Sequence, residues 1–172
     1  MKGQDIVVLL KKMTSEGKNM SCRQLAANLG MSVSTVSESL QRSKKAQLLD
    51  SKKKHVNALA FREFLVHGLA YVFPAEKGRL IRGVPTYVSA SPIKDQLVET
   101  SDLYVWRCAT GSARGQQIEP LYPSVPEAAM KDEELYRLLV IADTLRIGRS
   151  REKEIAIAEL NKFFDIYVEK QQ

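Results

Sequence analysis

Apolar residues recur at helical spacing from the start of the chain. Ile6, Leu9, Leu10 and Met13 fall at i, i+3, i+4 and i+7, one stripe of an amphipathic helix. Thr14-Ser15-Glu16-Gly17 ends it, with Gly17 suited to a left-handed cap. A second helix is predicted from Ser21, because Ser21 and Gln24 have the S-x-x-Q spacing of a capping box. Leu25, Ala26 and Leu29 are its inward positions, and Gly30 closes it. Ser32 caps a third helix with Val36 and Leu40 inward. Arg42, Lys44 and Lys45 lie near its C-terminal end, where positive charge suits the helix dipole. Leu48-Leu49 and His55-Val56 flank a basic turn, Asp50-Ser51-Lys52-Lys53-Lys54, which predicts two short strands forming a small wing.

A fourth helix is predicted from Asn57, since Phe61, Phe64, Leu65, Gly68, Leu69 and Val72 keep one stripe until just before Pro74. Gly68 on that stripe would let another element pack closely, at some cost in helix propensity. Between Pro74 and Pro126, Gly, Pro and Ser become frequent and the helical period is lost. Leu80-Ile81, Thr86-Tyr87-Val88 and Leu103-Tyr104-Val105-Trp106 are strand candidates there. Ile93 to Glu99 reads as a short helix, Gly111 to Gly115 as a loop, and Leu121 to Pro126 as a rigid extended segment. Trp106 and Tyr104 are expected in the core or an interface. Helical spacing returns at the end. Asp132 caps a helix carrying Leu135, Leu138, Leu139, Ala142 and Leu145, with Glu133 and Glu134 in the first turn. Gly148 stops it, Ser150 caps the next, and Ala156, Leu160, Phe163 and Tyr167 form the inward stripe of that last helix. Two helices joined so tightly make an antiparallel hairpin.

Charge changes this picture because it is uneven. The 172 residues carry a net +6, yet residues 1–57 hold eleven Lys/Arg against four Asp/Glu, and residues 58–172 hold fifteen against sixteen. The basic excess belongs to the first third. A compact positive module is the footprint of a polyanion binder, because Lys and Arg displace counterions from phosphate. At 44% hydrophobic and 27% charged the chain is expected to be an ordinary soluble globular protein that buries a core without a metal or disulfide staple. Cys22 and Cys108 share no C-x-x-C spacing and read as two reduced thiols of a cytoplasmic protein. No apolar run follows a basic start, and no stretch approaches the roughly 18 apolar residues of a membrane span, so neither a signal peptide nor a membrane association is expected.

The most informative stretch is Leu25-Ala26-Ala27-Asn28-Leu29-Gly30-Met31-Ser32-Val33-Ser34-Thr35-Val36-Ser37-Glu38-Ser39-Leu40. A small residue at Ala26 lets two helices cross closely. Gly30 can take the positive φ of a tight turn. Leu25, Leu29, Val36 and Leu40 lock the pair onto the first helix, and Ser32 starts the third abruptly. This segment resembles bacterial winged-helix regulators of the multiple-antibiotic-resistance (MarR-like) and related groups, whose pattern reads L-A-x-x-L-G-x-S-x-S-T-V-S-x-x-L. The resemblance covers about the first 57 residues. The chain departs from the pattern at Ser43, where an apolar residue is usual, and at Gln47, where glycine is usual.

The pattern of elements predicts a fold that is mainly α with minor β, and the resemblance implies a winged helix-turn-helix DNA-binding domain over residues 1–57, leaving residues 58–172 as a mixed α/β dimerisation or effector domain that ends in the helical hairpin. Helix-turn-helix proteins set the second helix of the motif in the major groove, with its N-terminal residues at base edges. The exposed set here would be Val33, Ser34, Ser37, Glu38 and Gln41, with Thr35 at the flank. Gln41 suits adenine, Glu38 a cytosine amino group and Val33 a thymine methyl. Ser34, Thr35 and Arg42 suit phosphates, Ser32, Lys44 and Lys45 belong to the same DNA-binding set, and Lys52, Lys53 and Lys54 at the wing tip would lie along the backbone or reach the minor groove. Such modules act as dimers, a task the C-terminal helices or residues 61–72 could serve.

The second half carries less signal. Arg82-Gly83-Val84-Pro85-Thr86-Tyr87 and Arg114-Gly115 read as turns with solvated arginines, ahead of an anion pocket. Sequence signatures of P-loops, nucleophile elbows and zinc proteases are absent, and His55 and His67 have no ligand spacing to Cys or acid partners. No catalytic residue, cofactor or metal site is therefore expected. The function implied is a sequence-specific, double-stranded-DNA-binding regulator, a homodimeric repressor. The alternative is an antitoxin or defence-system protein-interaction module that binds a protein partner through its C-terminal half.

Overall fold

A computed structural model describes residues 1–50, 52, 55–97 and 102–169. The fold is mainly α with minor β: eight α-helices and one three-stranded sheet among the described residues. The helices are α1 (Gly3–Met13), α2 (Cys22–Leu29), α3 (Val33–Lys45), α4 (Ala58–His67), α5 (Leu69–Val72), α6 (Val125–Ala129), α7 (Glu133–Ile147) and α8 (Ser150–Glu169). The strands are β1 (Lys77–Pro85), β2 (Tyr104–Arg107) and β3 (Ala113–Ile118). Among the described residues no helix is long and apolar enough to cross a membrane.

α1 is the central element. Every residue from Asp5 to Thr14 is buried, so the apolar stripe seen in the sequence is only part of its contact surface. α2 and α3 pack on one part of it and α7 on another. The apolar cluster is continuous from Ile6 to Tyr167, so the first 57 residues and the remainder share one core. Polar links cross the same joint. Lys11 Nζ donates to Asp132 Oδ2 at 2.6 Å with both side chains buried. The Ser15 amide and hydroxyl both donate to Glu134. Burial pushes the neighbouring Lys12 ammonium below its ordinary range, with Asp50 opposing the shift.

Local signals explain most helix ends. Ser21 Oγ accepts from the Gln24 amide while Gln24 Oε1 accepts from the Ser21 amide, the reciprocal capping box. Ser32, Asn57 and Asp132 cap α3, α4 and α7 in the same N-cap manner. Gly30 sits at φ +62°, the left-handed cap that ends α2. Gly17 does not take that role: Thr14 ends α1 in an extended conformation, and Gly17 lies buried in a following 3-10 turn. α7 and α8 form the expected antiparallel hairpin, with Leu138 and Ile141 beside Phe163 and Ile166. The inward stripe of α8 is Ala156, Leu160, Phe164 and Tyr167, so Phe164 replaces the expected Phe163. Phe164 packs on Phe61 of α4 at 6.2 Å between ring centroids. At the start of α8 the Arg149 amide is held by Glu152, which leaves Ser150 inside the first turn.

The middle of the chain departs furthest from expectation. The helix expected from Asn57 through Val72 breaks at Gly68, where α5 begins. Thr86 to Val88 is not a strand: a 3-10 turn covers Tyr87–Ser89, with Tyr87 at φ +55°. The helix expected over residues 93–99 reduces to a 3-10 turn at Lys94–Gln96, and residues 98 and 99 lie outside the described residues. The expected loop at Gly111 to Gly115 runs instead into β3. β1 pairs antiparallel with both β2 and β3, which are parallel to each other, so the three strands close into a small barrel. Closure is tight: a Cβ at Gly83 would lie 1.8 Å from the Trp106 carbonyl oxygen, and one at Gly115 would lie 2.3 Å from that of Leu103. The barrel is tied to α7 by Asp143, which accepts from Thr86 Oγ1 (2.9 Å), Trp106 Nε1 (2.6 Å) and Arg146 Nη1 (2.7 Å). The segment expected to be extended begins α6 at Val125, with Pro126 in the first turn, where its missing N–H costs nothing.

Candidate nucleic-acid interface

The candidate interface is built on α3. Leu25, Ala26, Leu29, Val36 and Leu40 are all buried, as the sequence spacing predicts. They fix α2 and α3 on α1 and leave the other face of α3 outward. The turn between α2 and α3 is held from behind: Ser124 Oγ donates to the Leu29 carbonyl, and a Cβ on Gly30 would lie 3.2 Å from Ser124 Cβ.

Val33, Ser34, Glu38, Gln41, Lys44 and Lys45 are exposed along α3, and Thr35 and Ser37 are half-buried. Exposed Ser32 joins Ser34 and Thr35 in a hydroxyl cluster at the helix start, with Oγ–O separations of 2.8 Å to each. Polar side chains thus run down one face at steps of three and four residues, from an N-terminus that favours anions to a C-terminal end with two exposed lysines.

Arg42 departs from the expected phosphate contact. Its Nη2 donates to Asp5 Oδ1 at 2.8 Å and its Nε to Oδ2 at 3.0 Å, a two-pronged pair between α3 and α1. Burial acts to raise the Asp5 carboxyl, but Arg42 and the Lys2 amide outweigh it and hold Asp5 below the ordinary carboxylate range. Arg42 is therefore a positioning residue that orients α3. Lys11 and Lys12 are buried, while Arg42 is half-buried and tied to Asp5. Three of the eleven cations counted in residues 1–57 consequently do not contribute to an outward positive surface. Arg23, exposed on the first turn of α2, does contribute; its place just after the Ser21 cap is the signal that could have singled it out.

The expected wing reduces to a minimal hairpin. Leu49 and Val56 form an antiparallel bridge, Asp50 N donates to the His55 carbonyl, and Asn57 N donates to the Leu48 carbonyl. Lys52 is exposed in its turn; Lys53 and Lys54 lie outside the described residues. Gln47, which precedes the hairpin, has φ +60°. The backbone there takes the conformation that glycine favours. Ser43 is fully buried, and among the described residues its hydroxyl has no hydrogen-bond partner.

The arginines expected in turns lie in strands instead: Arg82 of β1 and Arg114 of β3 come together on the barrel, joined by Arg79 and Arg107. Thr86 and Tyr87 are turned inward to Asp143 and Glu152. Both cysteines are free. Comparison with protein-family models, with characterised proteins and with solved structures gives no significant match for this chain.

Proposed function

We propose that this chain is a sequence-specific, double-stranded-DNA-binding transcriptional regulator, a homodimeric repressor rather than an enzyme, with a MarR-like winged helix-turn-helix over residues 1–57. The observation that carries this reading is the outward polar face of α3, presented on a helix whose opposite side is fixed by α1. In this reading α3 enters the major groove. Gln41 reads adenine, Glu38 a cytosine amino group, and Val33 meets a thymine methyl. The Ser32, Ser34 and Thr35 hydroxyls and the α3 N-terminus meet one phosphate strand. Lys44, Lys45, Lys52 and Arg23 meet flanking phosphates. Two copies related by a two-fold axis would place half-sites about one helical turn apart. The inward face of α8 is already used within the chain. The apolar side chains left for a second copy include Leu59, Tyr71 and Val72, which are exposed on α4 and α5.

The salt dependence of duplex binding tests the assignment. Each phosphate contact contributes about −0.9 to the slope of log K against log salt. Lys44→Ala/Lys45→Ala should therefore flatten the slope by about 2 and weaken every sequence alike. Gln41→Ala should keep the slope and relax base preference at one position of each half-site, at a cost of about 1–3 kcal/mol. Binding and slope unchanged in both variants would remove α3 from the interface.

A further inference from the structure

Four arginines gather on the outer surface of the barrel. Arg79 and Arg82 come from β1, Arg107 ends β2, and Arg114 lies in β3. All four are exposed, and all line one concave cavity of about 540 Å³. Arg82 and Arg114 are direct cross-strand partners, and Arg107 is the cross-strand partner of neighbouring Gly83. Among the described residues none of the four forms an ion pair with a carboxylate. Like charges placed directly opposite in a sheet are destabilising. This cluster also occurs in the part of the chain where acidic residues outnumber basic ones, sixteen to fifteen. Overall charge therefore does not account for it.

The chemistry of the cavity narrows its ligand. Arg82 Nε donates to the Gly111 carbonyl at 2.9 Å, which fixes the guanidinium plane and leaves its two terminal nitrogens for a ligand. Planar, orientated guanidinium groups match the oxygens of phosphate in two-pronged fashion, where lysines would act as point charges. The remaining wall is Leu80, Ile81, Ala109 and Cys108, and among the described residues no aromatic ring lines it for a base to stack on. The size falls within the ordinary range for small-molecule sites. A duplex backbone would call for cations strung along a stripe, whereas these converge on one hollow.

We propose that this cavity is a binding site for a compact polyanion carrying several linked phosphoryl groups, recognised through its phosphate chain. The site is separate from the α3 face and independent of the function proposed for that face.

Calorimetric titration of the full-length protein with inorganic tripolyphosphate, at about 150 mM KCl to screen non-specific attraction, tests this. Saturable one-to-one binding is expected, about tenfold or more tighter than for orthophosphate, with ATP binding within about twofold of tripolyphosphate because nothing lines the cavity to hold a base. Arg107→Ala/Arg114→Ala should weaken binding about tenfold, and Arg82→Lys, which keeps the charge and loses the fork, should weaken it several-fold. Lys44→Ala/Lys45→Ala removes as much charge elsewhere and should leave it unchanged. Circular dichroism of each variant separates loss of the site from loss of the fold. The proposal is overturned by absence of saturable binding, by equal losses in the arginine and lysine variants, or by a large preference for ATP. It is also overturned if duplex DNA binding, rather than tripolyphosphate binding, is what the Arg107→Ala/Arg114→Ala change removes.

Discussion

At the scale of single residues, Gln47 and Ser43 each work against the fold. Gln47 holds a left-handed backbone at φ +60°, which costs an L-residue about 1–2 kcal/mol. Glycine relieves that strain but gains freedom in the unfolded chain. Gln47→Gly should therefore raise unfolding stability by about 0.5–1 kcal/mol, read as a higher urea midpoint with unchanged slope. Ser43 buries a hydroxyl that has no partner among the described residues, so Ser43→Ala should stabilise by about 1 kcal/mol in the same measurement. A lower midpoint in either variant would contradict the corresponding account. Both positions were legible in the sequence only as departures from a resemblance; the structure supplies what each departure costs.

At the scale of elements, the orientation of α3 depends on a link no periodicity reveals. Asp5 looks like an ordinary first-turn acid, and Arg42 like a phosphate contact in a basic run. They pair across 37 positions because α1 is buried on all sides and its carboxylate needs a cation. Removing one partner of a buried pair can cost 3–5 kcal/mol, and the partial exposure of Arg42 reduces this, so Asp5→Asn should lose about 2 kcal/mol at pH 7. The depressed Asp5 pKa sets the sign of the pH effect. Its contribution is complete above the unfolded value of 3.8 and is lost as pH falls through the lower folded value. The stability gap between Asp5→Asn and the parent should therefore narrow when urea unfolding is repeated below pH 3.8, and a gap that widened would contradict the pair's role. The caps at Ser21, Ser32 and Asp132 were readable because each acts within three residues of its own helix. β3 was not readable, since Ala113-Arg114-Gly115-Gln116-Gln117-Ile118 has neither apolar alternation nor β-branched enrichment until its last residue. Its strand conformation comes from closure of the barrel, where Gly115 permits close approach of the Leu103 backbone.

At the scale of the whole molecule, the charge and motif boundary near residue 57 is not a packing boundary. α1 lies between the α2–α3 pair and α7, Lys11 is neutralised by Asp132, and the Val56 amide donates to the Tyr167 hydroxyl. A fragment of residues 1–57 would expose the surface of α1 that α7 covers and strand Lys11 without Asp132. It should give the circular dichroism and amide dispersion of a largely unfolded chain, and the full chain should melt in one cooperative transition. A cooperatively folded fragment would contradict the single-core description. The same packing holds α3 against α1, as the groove-reading role proposed for it requires. The measurement that tests this most directly is selection of random-sequence duplex DNA by the purified full-length protein, with the bound fraction sequenced across a salt series. An enriched two-fold motif, lost when Ser34, Gln41, Lys44 and Lys45 are replaced by alanine together, is the predicted result. Absence of duplex binding, or a motif that survives those replacements, would contradict it.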